Sequence, residues 1–457
     1  MSELTLAGKV VELVRAAAGP HVQTEVGVHH NAEALTRFAN SAIHQNVAEA
    51  TTTVRLRLHL DGRTAAGSTT VIDKAGLTAL VDRTLAAARM SPPDAAWPGL
   101  VPPTPLTAAA SGLDEVSAVA DPELRAAQVR AFVDAAGGLE TAGFCRTTLS
   151  SAAFANSAGQ AVEGRAVEAA MDGIARLDGA DGVARLAAAS LADIDGAALG
   201  ARAAAKARAG GRPVELPPGR YEVVLEPAAV ADMLDNLSTF GFNGKAYARG
   251  QSFAEIGAQQ FDPAVTIVDE PTRGGGLPFD IEGTPRGPVT LVRDGVTAAV
   301  AHDRTSAAET GQVSTGHASP ASRSWGPMAL HMRLVAGAAN GSGVSAGPAA
   351  DSAAPLVSGV ERGLLISDFW YTRVLEQKSL VITGLTRNGV WLIEDGEVTS
   401  AVGNMRFTQS YPQALAPGSV RAVGGPSVPM PDRWSGVRYT APALHLASWH
   451  LTGNASG

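Results

Sequence analysis

A repeated pentapeptide is the feature that most constrains the fold of this chain. Phe-Ala-Asn-Ser-Ala occurs at Phe38–Ala42 and again, 116 residues later, at Phe154–Ala158. An alternating apolar segment, an Asp-Gly turn (Asp61-Gly62 and Asp178-Gly179), a second apolar segment and a helix-spaced segment follow each copy. The pattern predicts two strand-hairpin-helix units made by duplication. Coincidental identity in an alanine-rich chain is the alternative.

The two halves of the chain differ in the structure that their sequences predict. Amphipathic helices are expected at Leu4–Ala18 and Pro122–Ala136 in the first half. A Gly-Gly-Arg-Pro linker follows, so we predict an N-terminal α/β domain over residues 1–211 and a C-terminal domain over residues 212–457. Short apolar segments separated by Asp-Gly or Asn-Gly turns make the second domain β-rich, as a meander or pseudo-barrel. The predicted fold class is α+β with two domains.

Bulk composition excludes several classes of protein. The chain has 457 residues, a net charge of −8 and 45% hydrophobic residues, which excludes a disordered chain and disfavours nucleic-acid binding through a basic face. Its one cysteine, Cys145, cannot form an intramolecular disulfide. Charges interrupt the first fifteen residues, and no apolar stretch is long enough for a membrane helix. We therefore expect a cytoplasmic protein with no membrane or nucleic-acid partner.

Four segments along the chain carry a resemblance to a known family. They include the Phe-Asp-Ile-Glu-Gly-Thr-Pro signature and are Leu35–Ser41, Pro218–Pro227, Phe279–Pro285 and Thr383–Glu394. In order and spacing they resemble the TldD/PmbA (TldE) family, long called modulators of DNA gyrase and now regarded as related to metallopeptidases. The resemblance implies an α/β amino-terminal domain and a β-rich carboxy-terminal domain.

The family has subunits with and without a zinc-binding His-Glu-x-x-x-His helix. Aligned on Phe242-Asn243, the corresponding positions here are Ala231, Asp232 and Asn236. Alanine has no donor atom, and asparagine is a poor zinc ligand. Zinc-bearing members complete the site with a cysteine near the carboxy terminus, and the comparable segment Val423–Val428 has none.

The resemblance therefore implies a TldE/PmbA-type subunit that has no catalytic residue and no metal or other cofactor of its own. It would form a heterodimer with a TldD-type homologue that supplies zinc. The pair would act on small unfolded or modified peptides.

Four other residues are candidates for lining a substrate cleft. Asp280 and Glu282 alternate along a segment expected to be extended, which would put both carboxylates on one side. Acid–base chemistry is one hypothesis for the pair, and hydrogen bonding to loop amides or to Arg286 is the favoured one. His317 lies in the Ser-Thr-Gly-His loop, and Arg387 is suited to bidentate binding of a carboxylate.

The sequence is also compatible with two other functions. One is a homodimeric peptide-binding or scaffold protein without protease activity. The other is an enzyme with a relocated site near His302, His317 and Asp280. Gly343–Gly347 matches the Gly-x-Ser-x-Gly hydrolase pattern, but Pro348 and a loop rich in Gly, Ala and Ser are expected after it instead of a helix, so a nucleophile there is disfavoured. The aromatic cluster Phe369–Tyr371 is predicted to lie in the core or at a subunit interface.

Overall fold

The computed structural model describes residues 2–106, 113–272, 275–336, 353–431 and 437–455. The Gly343–Gly347 segment lies outside these ranges. Within them the chain is a mixture of helices and strands, as the predicted α+β class requires. The strands form one sheet in the first half of the sequence and two sheets in the second. None of the described helices is both long and apolar enough to cross a membrane.

The first half contains two units of the same order, helix, three strands and helix. The first unit comprises α1 (Glu3–Ala18), β1 (Gln23–Ala39), β2 (Ala42–Leu60), β3 (Arg63–Thr69) and α2 (Lys74–Met90). After a short helix, α3 (Glu115–Ala118), the second unit comprises α4 (Pro122–Ala135), β4 (Glu140–Asn156), β5 (Ala161–Leu177), β6 (Ala180–Ala188) and α5 (Gly196–Ala209).

The strand order confirms the predicted duplication. The sheet runs β3-β2-β1-β4-β5-β6, so the two units meet at the central β1–β4 pair and mirror each other outward. Each copy of the pentapeptide marks the turn between the first and second strand of its unit. In the first copy, Asn40 and Ser41 have φ angles of 50° and 59°. A left-handed tight turn of this kind suits asparagine.

The second half forms a closed barrel with a smaller sheet beside it. Its elements are β7 (Gly219–Leu225), α6 (Pro227–Asn236), α7 (Gly244–Ala248), β8 (Val265–Asp269), β9 (Val289–Arg293), β10 (Val296–Thr297), α8 (Arg304–Thr310), α9 (Ser322–Trp325), β11 (Met332–Ala336), α10 (Ala354–Val357), β12 (Arg362–Glu376), β13 (Val381–Glu394), β14 (Glu397–Ala401), β15 (Met405–Ser410), α11 (Tyr411–Ala414), β16 (Val420–Val423), β17 (Val428–Pro429), β18 (Thr440–Ala441) and β19 (Leu444–Asn454). Pairing runs β12-β7-β19-β15-β13 and returns to β12, which closes a ring of five strands. The smaller sheet runs β10-β9-β8-β11-β18-β17.

Aromatic rings fill the barrel. Trp449 of β19 is fully buried and stacks on Phe369 at 5.0 Å between ring centroids, with Phe407 at 5.3 Å and Tyr411 at 5.8 Å. Four rings from different elements therefore share one interior. Since aromatic side chains bury the largest apolar areas, this cluster is a main source of barrel stability.

One turn predicted from the sequence is wrong. Asn388-Gly389 lies inside the continuous strand β13 and not between two strands. Asn388 and Gly389 have φ angles of 59° and 125°, and the pairing with β12 changes register beside them. The Asn388 side chain donates to Asp368 Oδ2 at 3.1 Å, which stabilises the left-handed conformation within a bulge. An Asn-Gly pair serves a bulge as well as a hairpin, and the sequence alone does not separate the two.

Removing the ring at the centre of the barrel tests this packing. Trp449→Ala should lower the free energy of unfolding by about 3–5 kcal/mol, because it leaves a cavity between three other rings. Trp325→Ala is the matched control, since that side chain is 62% exposed. Urea unfolding followed by circular dichroism measures both. Equal midpoints for the two variants would contradict the assigned core.

Candidate functional site

Helix α6 carries Ala231, Asp232 and Asn236, the three positions that the family resemblance aligns with the zinc motif. It follows β7 directly and buries Val230, Met233 and Leu234. A π-helical turn over Leu237–Gly241 continues it. Such turns are rare and occur frequently at functional sites.

Asp232 on this helix is held by hydroxyl donors from two distant elements. Thr372 Oγ1 donates to Oδ1 at 3.0 Å, and the Tyr411 hydroxyl donates to Oδ2 at 3.1 Å. Burial, and then the Asp232 carboxylate itself, raise the pKa of Tyr411 well above its usual value. The hydroxyl therefore remains a proton donor at neutral pH. These contacts fix Asp232 as a hydrogen-bond acceptor within the fold.

The other two positions of the motif cannot supply ligands. Ala231 has only a buried methyl group. The Asn236 side chain is used internally, because its Nδ2 donates to the Asp232 carbonyl at 3.0 Å and to the Asp232 carboxylate at 3.3 Å. Both of the hydrogen bonds that Asn236 Nδ2 donates therefore go to Asp232. The slot provides neither imidazole nor a free carboxylate.

The donor groups in the rest of the described residues do not fit zinc either. Over the ranges that the structure describes, no three His, Cys, Asp or Glu side chains are grouped so that they could hold a metal ion. Cys145 is buried in β4, and burial raises the pKa of its thiol to about 12. A protonated thiol inside the first sheet is not a zinc ligand. The described residues therefore do not fit a zinc ion.

The signature segment forms a turn, which corrects the expected extended conformation. Asp280 Oδ1 accepts the amide protons of Glu282 at 2.9 Å and of Thr284 at 3.0 Å, and Oδ2 accepts that of Ala318 at 2.9 Å. Gly283 has a φ angle of 73° and donates its own amide to the Asp280 carbonyl. Aspartate favours such local amide contacts, and they override the extended geometry. Asp280 thus bonds loop amides, as the favoured hypothesis predicted.

Glu282 turns away from Asp280 and joins the two halves of the molecule. Its Oε1 accepts from the Arg57 guanidinium of β2 at 3.1 Å, and its Oε2 accepts the amide proton of Arg304 at 3.1 Å. Arg57 also forms an ion pair with Glu25 of β1. Burial and the neighbouring Glu282 raise the pKa of Asp280 to about 7, against the opposing effects of Arg286 and the amides.

His317 lies in a buried polar row. Its Nε2 is 3.0 Å from Asp269 Oδ2, and its Nδ1 is 2.8 Å from Thr315 Oγ1. Asp269 Oδ1 accepts the amide proton of His331 at 2.8 Å. Asp280, Glu282 and His317 are each under 5% exposed within this chain. Their role in lining a cleft stays a prediction, since each is already engaged by the chain's own groups.

Arg387 lies apart from these three residues. It is exposed on β13, and its guanidinium stacks over the Trp370 ring at 5.2 Å. Within the described part of the chain it forms no ion pair or hydrogen bond with Asp280, Glu282 or His317. The structure thus brings Asp280 and Glu282 into one turn, places His317 beside that turn through Ala318, and leaves Arg387 on the surface.

Sequence reasoning missed a charged cleft between the two halves. It has a volume of about 70 Å³ and lies between α5, β6 and the start of α6. Glu226 at its base accepts from Lys206, from Arg202 at 3.2 Å and from the Ser367 hydroxyl at 2.6 Å. Burial alone would raise the pKa of Glu226, but Lys206 and then Arg202 hold it below its usual value. Arg202 and Lys206 lie one helical turn apart on α5, and this spacing is the sequence feature that could have indicated the cleft.

The half-buried His331 generates a pH prediction. Burial lowers its pKa from 6.5 to about 3, against the attraction of Asp269. The folded protein therefore keeps His331 neutral, while the unfolded chain takes up a proton below pH 6.5, so its contribution to stability is present above 6.5 and lost as pH falls toward 3. His331→Gln should reduce the loss of unfolding free energy between pH 6.5 and 5 by about 1.5 kcal/mol. Urea titrations at both pH values measure this.

The control for that experiment is His44→Gln, because His44 is exposed at the β1–β2 hairpin. It should leave the pH dependence of the unfolding free energy as in the unmodified protein. If His331→Gln also leaves it unchanged, His331 is protonated in the folded state and the assigned burial is wrong.

Comparisons with known proteins agree with this architecture. The family model described as PmbA/TldA metallopeptidase C-terminal domain matches residues 218–453. No curated protein matches the chain.

Solved structures extend the likeness to nearly the whole chain. TldE from Thermococcus kodakarensis is 16% identical, with a TM-score of 0.83 over 98% of this chain and 100% of that one. A candidate modulator of DNA gyrase from Thermotoga maritima is 17% identical, with a TM-score of 0.81 over 97% and 99%. Another from Bacteroides thetaiotaomicron is 17% identical, with a TM-score of 0.79 over 98% of each. At these identities the structures show a shared fold, and the family model covers more than half of the sequence. The chain therefore belongs to the PmbA/TldD family of metallopeptidase-related proteins.

Proposed function

We propose that this chain is the non-catalytic, TldE-like subunit of a heterodimeric zinc peptidase in the cytoplasm. A TldD-type homologue with an intact His-Glu-x-x-x-His helix would supply the zinc and the catalytic groups. Small unfolded or modified peptides would be the substrates. The observation that carries the proposal is the state of α6, where Asp232 is engaged by Thr372 and Tyr411 and flanked by two positions that cannot bind zinc.

A zinc hydrolase needs an open coordination position and a base that is free to take a proton from water. Asp232 meets neither requirement, because hydroxyl donors from Thr372 and Tyr411 occupy both of its carboxylate oxygens. Zinc coordination by Asp232 would compete with those contacts. Bond cleavage is therefore assigned to a different chain.

The contribution of this chain would be structural and would concern the substrate. It has the fold of the solved TldE structure, and its Glu282 contact joins the barrel half to the first sheet. A subunit of this shape can close one side of a peptide channel and exclude water from it. The likeness to a protein named TldE supports this assignment over that of a zinc-bearing subunit.

One buried arrangement favours the alternative of a relocated site. Thr315 Oγ1, His317 and Asp269 form a hydroxyl–imidazole–carboxylate row with separations of 2.8 and 3.0 Å. Such a row is the geometry of an activated nucleophile. However, Thr315 Oγ1 also accepts the amide proton of His302 at 2.8 Å, and His317 is 1% exposed. These contacts assign the row to the internal structure of the loop.

Co-expression with a His-Glu-x-x-x-His homologue tests the proposed function. We expect a stable complex whose peptide cleavage requires both chains and is abolished when the glutamate of the partner's motif is replaced by glutamine. This chain alone should neither cleave peptides nor retain stoichiometric zinc. Failure to form a complex, with partner activity independent of this chain, would contradict the proposal. Hydrolysis by this chain alone that is lost in His317→Ala would favour the relocated site.

Asp232→Asn separates a structural role from a catalytic one. Asparagine keeps an oxygen acceptor for one hydroxyl but cannot act as a general base. The complex should keep its kcat within a few-fold, whereas loss of a general base costs about 10²–10⁴-fold. The free energy of unfolding should fall by about 1–3 kcal/mol, because the second hydroxyl loses its charged acceptor. A large fall in kcat at unchanged stability would place Asp232 in the chemistry.

A further inference from the structure

Three neighbouring barrel strands present one row of side chains to solvent. Trp370 of β12 lies opposite Leu385 of β13, which lies opposite Arg406 of β15. Residues directly opposite each other in antiparallel strands project from the same face. Trp370 is 41% exposed and Arg406 is also exposed. The outer surface of the barrel here is therefore aromatic at one end and cationic at the other.

Two more arginines extend this surface. Arg387 stacks on Trp370, and Arg373 stacks on Tyr371 at 4.4 Å. In the described ranges, none of Arg373, Arg387 and Arg406 forms an ion pair with a carboxylate. Arg185 of β6, in contrast, forms ion pairs with Asp172 and Asp368. We call Trp370, Tyr371, Arg373, Leu375, Arg387 and Arg406 the arginine–aromatic face.

The backbone holds the aromatic end of this face in a strained form. Tyr371 has a φ angle of 57°, and the β12–β13 register shifts between Trp370 and Arg373. A bulky residue seldom adopts a left-handed conformation, and such outliers concentrate at functional positions. The bulge leaves Tyr371 65% exposed while the next residue, Thr372, turns inward to bond Asp232. The strained backbone at Tyr371 thus exposes its ring to solvent, while the hydrogen bond from Thr372 to Asp232 fixes the neighbouring residue.

We propose that the arginine–aromatic face is the docking surface for an acidic region of the partner subunit. This inference rests on the proposed heterodimer and deepens it by naming the surface and the chemistry of the region it receives. Three cations without carboxylate partners call for Asp or Glu side chains on the other protein. Exposed Trp, Tyr and Leu side chains supply the apolar anchors between them.

The form of the surface favours a folded protein over a peptide or a nucleic acid. It is the outer side of three adjacent strands, and not a groove that would enclose an extended chain. Tryptophan, tyrosine and arginine are the side chains that most often dominate binding at protein interfaces. A nucleic acid would meet a chain of net charge −8, which opposes approach of a polyphosphate. An acidic region of a folded protein needs to be complementary in charge only to the arginines of this face, and not to the whole chain.

The test is association of the full-length chain with the zinc-bearing homologue, measured by biolayer interferometry with co-elution as a check. Trp370→Ala should weaken the complex about thirtyfold, as removal of a central aromatic anchor does. Arg387→Glu and Arg406→Glu should each weaken it at least about tenfold and slow association, and the affinity of the unmodified pair should fall as salt rises. Arg89→Glu is the control, since Arg89 is exposed on α2 in the other half of the molecule.

The two arginine variants keep the test decisive if Trp370→Ala fails to fold, because both side chains are exposed. Thermal midpoints equal to that of the unmodified chain establish that each variant is folded. If the unmodified chain binds the homologue and the folded variants bind equally well, this inference is overturned while the heterodimer stands. If the unmodified chain does not bind the homologue, the proposed function is overturned and this inference with it. If the variants lose binding to a single-stranded oligonucleotide but keep the partner, the face belongs to nucleic acid and the inference is wrong.

Discussion

The buried carboxylate of Glu282 is one of the charged contacts that hold the two halves of the molecule together. It accepts from Arg57 of the first sheet and from the Arg304 amide of the second half, while Arg57 also pairs with Glu25. A charge taken out of water is costly unless paired, so this group is tolerated only where its partners are present. Correct docking of the halves and satisfaction of Glu282 therefore occur together. Arg304 reinforces the same junction by donating to the carbonyls of Pro98, Gly99 and Leu100.

Local patterns predicted much of the fold. The repeated pentapeptide gave the two matching units, and helix α2 spans Lys74–Met90 as its spacing predicted. Strands β1 and β4 were missed. Residues 29–35 of β1 are exposed or half-buried on both faces, so β1 lacks the clean alternation that marks a strand. The Asn388-Gly389 bulge was missed for a different reason, because its contact with Asp368 depends on a strand twenty residues earlier.

The candidate site, too, was predicted from the sequence only in part. The lack of zinc ligands at Ala231 and Asn236 followed from residue identity. What Asp232 does instead could not follow, because Thr372 and Tyr411 are 140 and 179 residues away in sequence. The turn at Asp280 was mistaken for an extended segment, since the aspartate's preference for loop amides is expressed only where Thr284 and Ala318 come within reach. Periodicity carries information about neighbours along the chain, and these contacts join residues that are distant in it.

The contacts of Asp232 give a physical reason why α6 keeps its place without a metal. In a zinc subunit, metal–ligand bonds tie the helix to the rest of the site and contribute directly to folding. Here the hydroxyls of Thr372 and Tyr411 connect the helix to the barrel. Hydrogen bonds to a charged group contribute about 1.5–3 kcal/mol each. Thr372 lies in the bulge that raises Tyr371 to the surface, and Tyr411 packs on Trp449 in the barrel interior. Asp232 thus connects the core of the barrel to its outer face, and through Thr372 it helps to set the shape of the surface that we propose a partner meets.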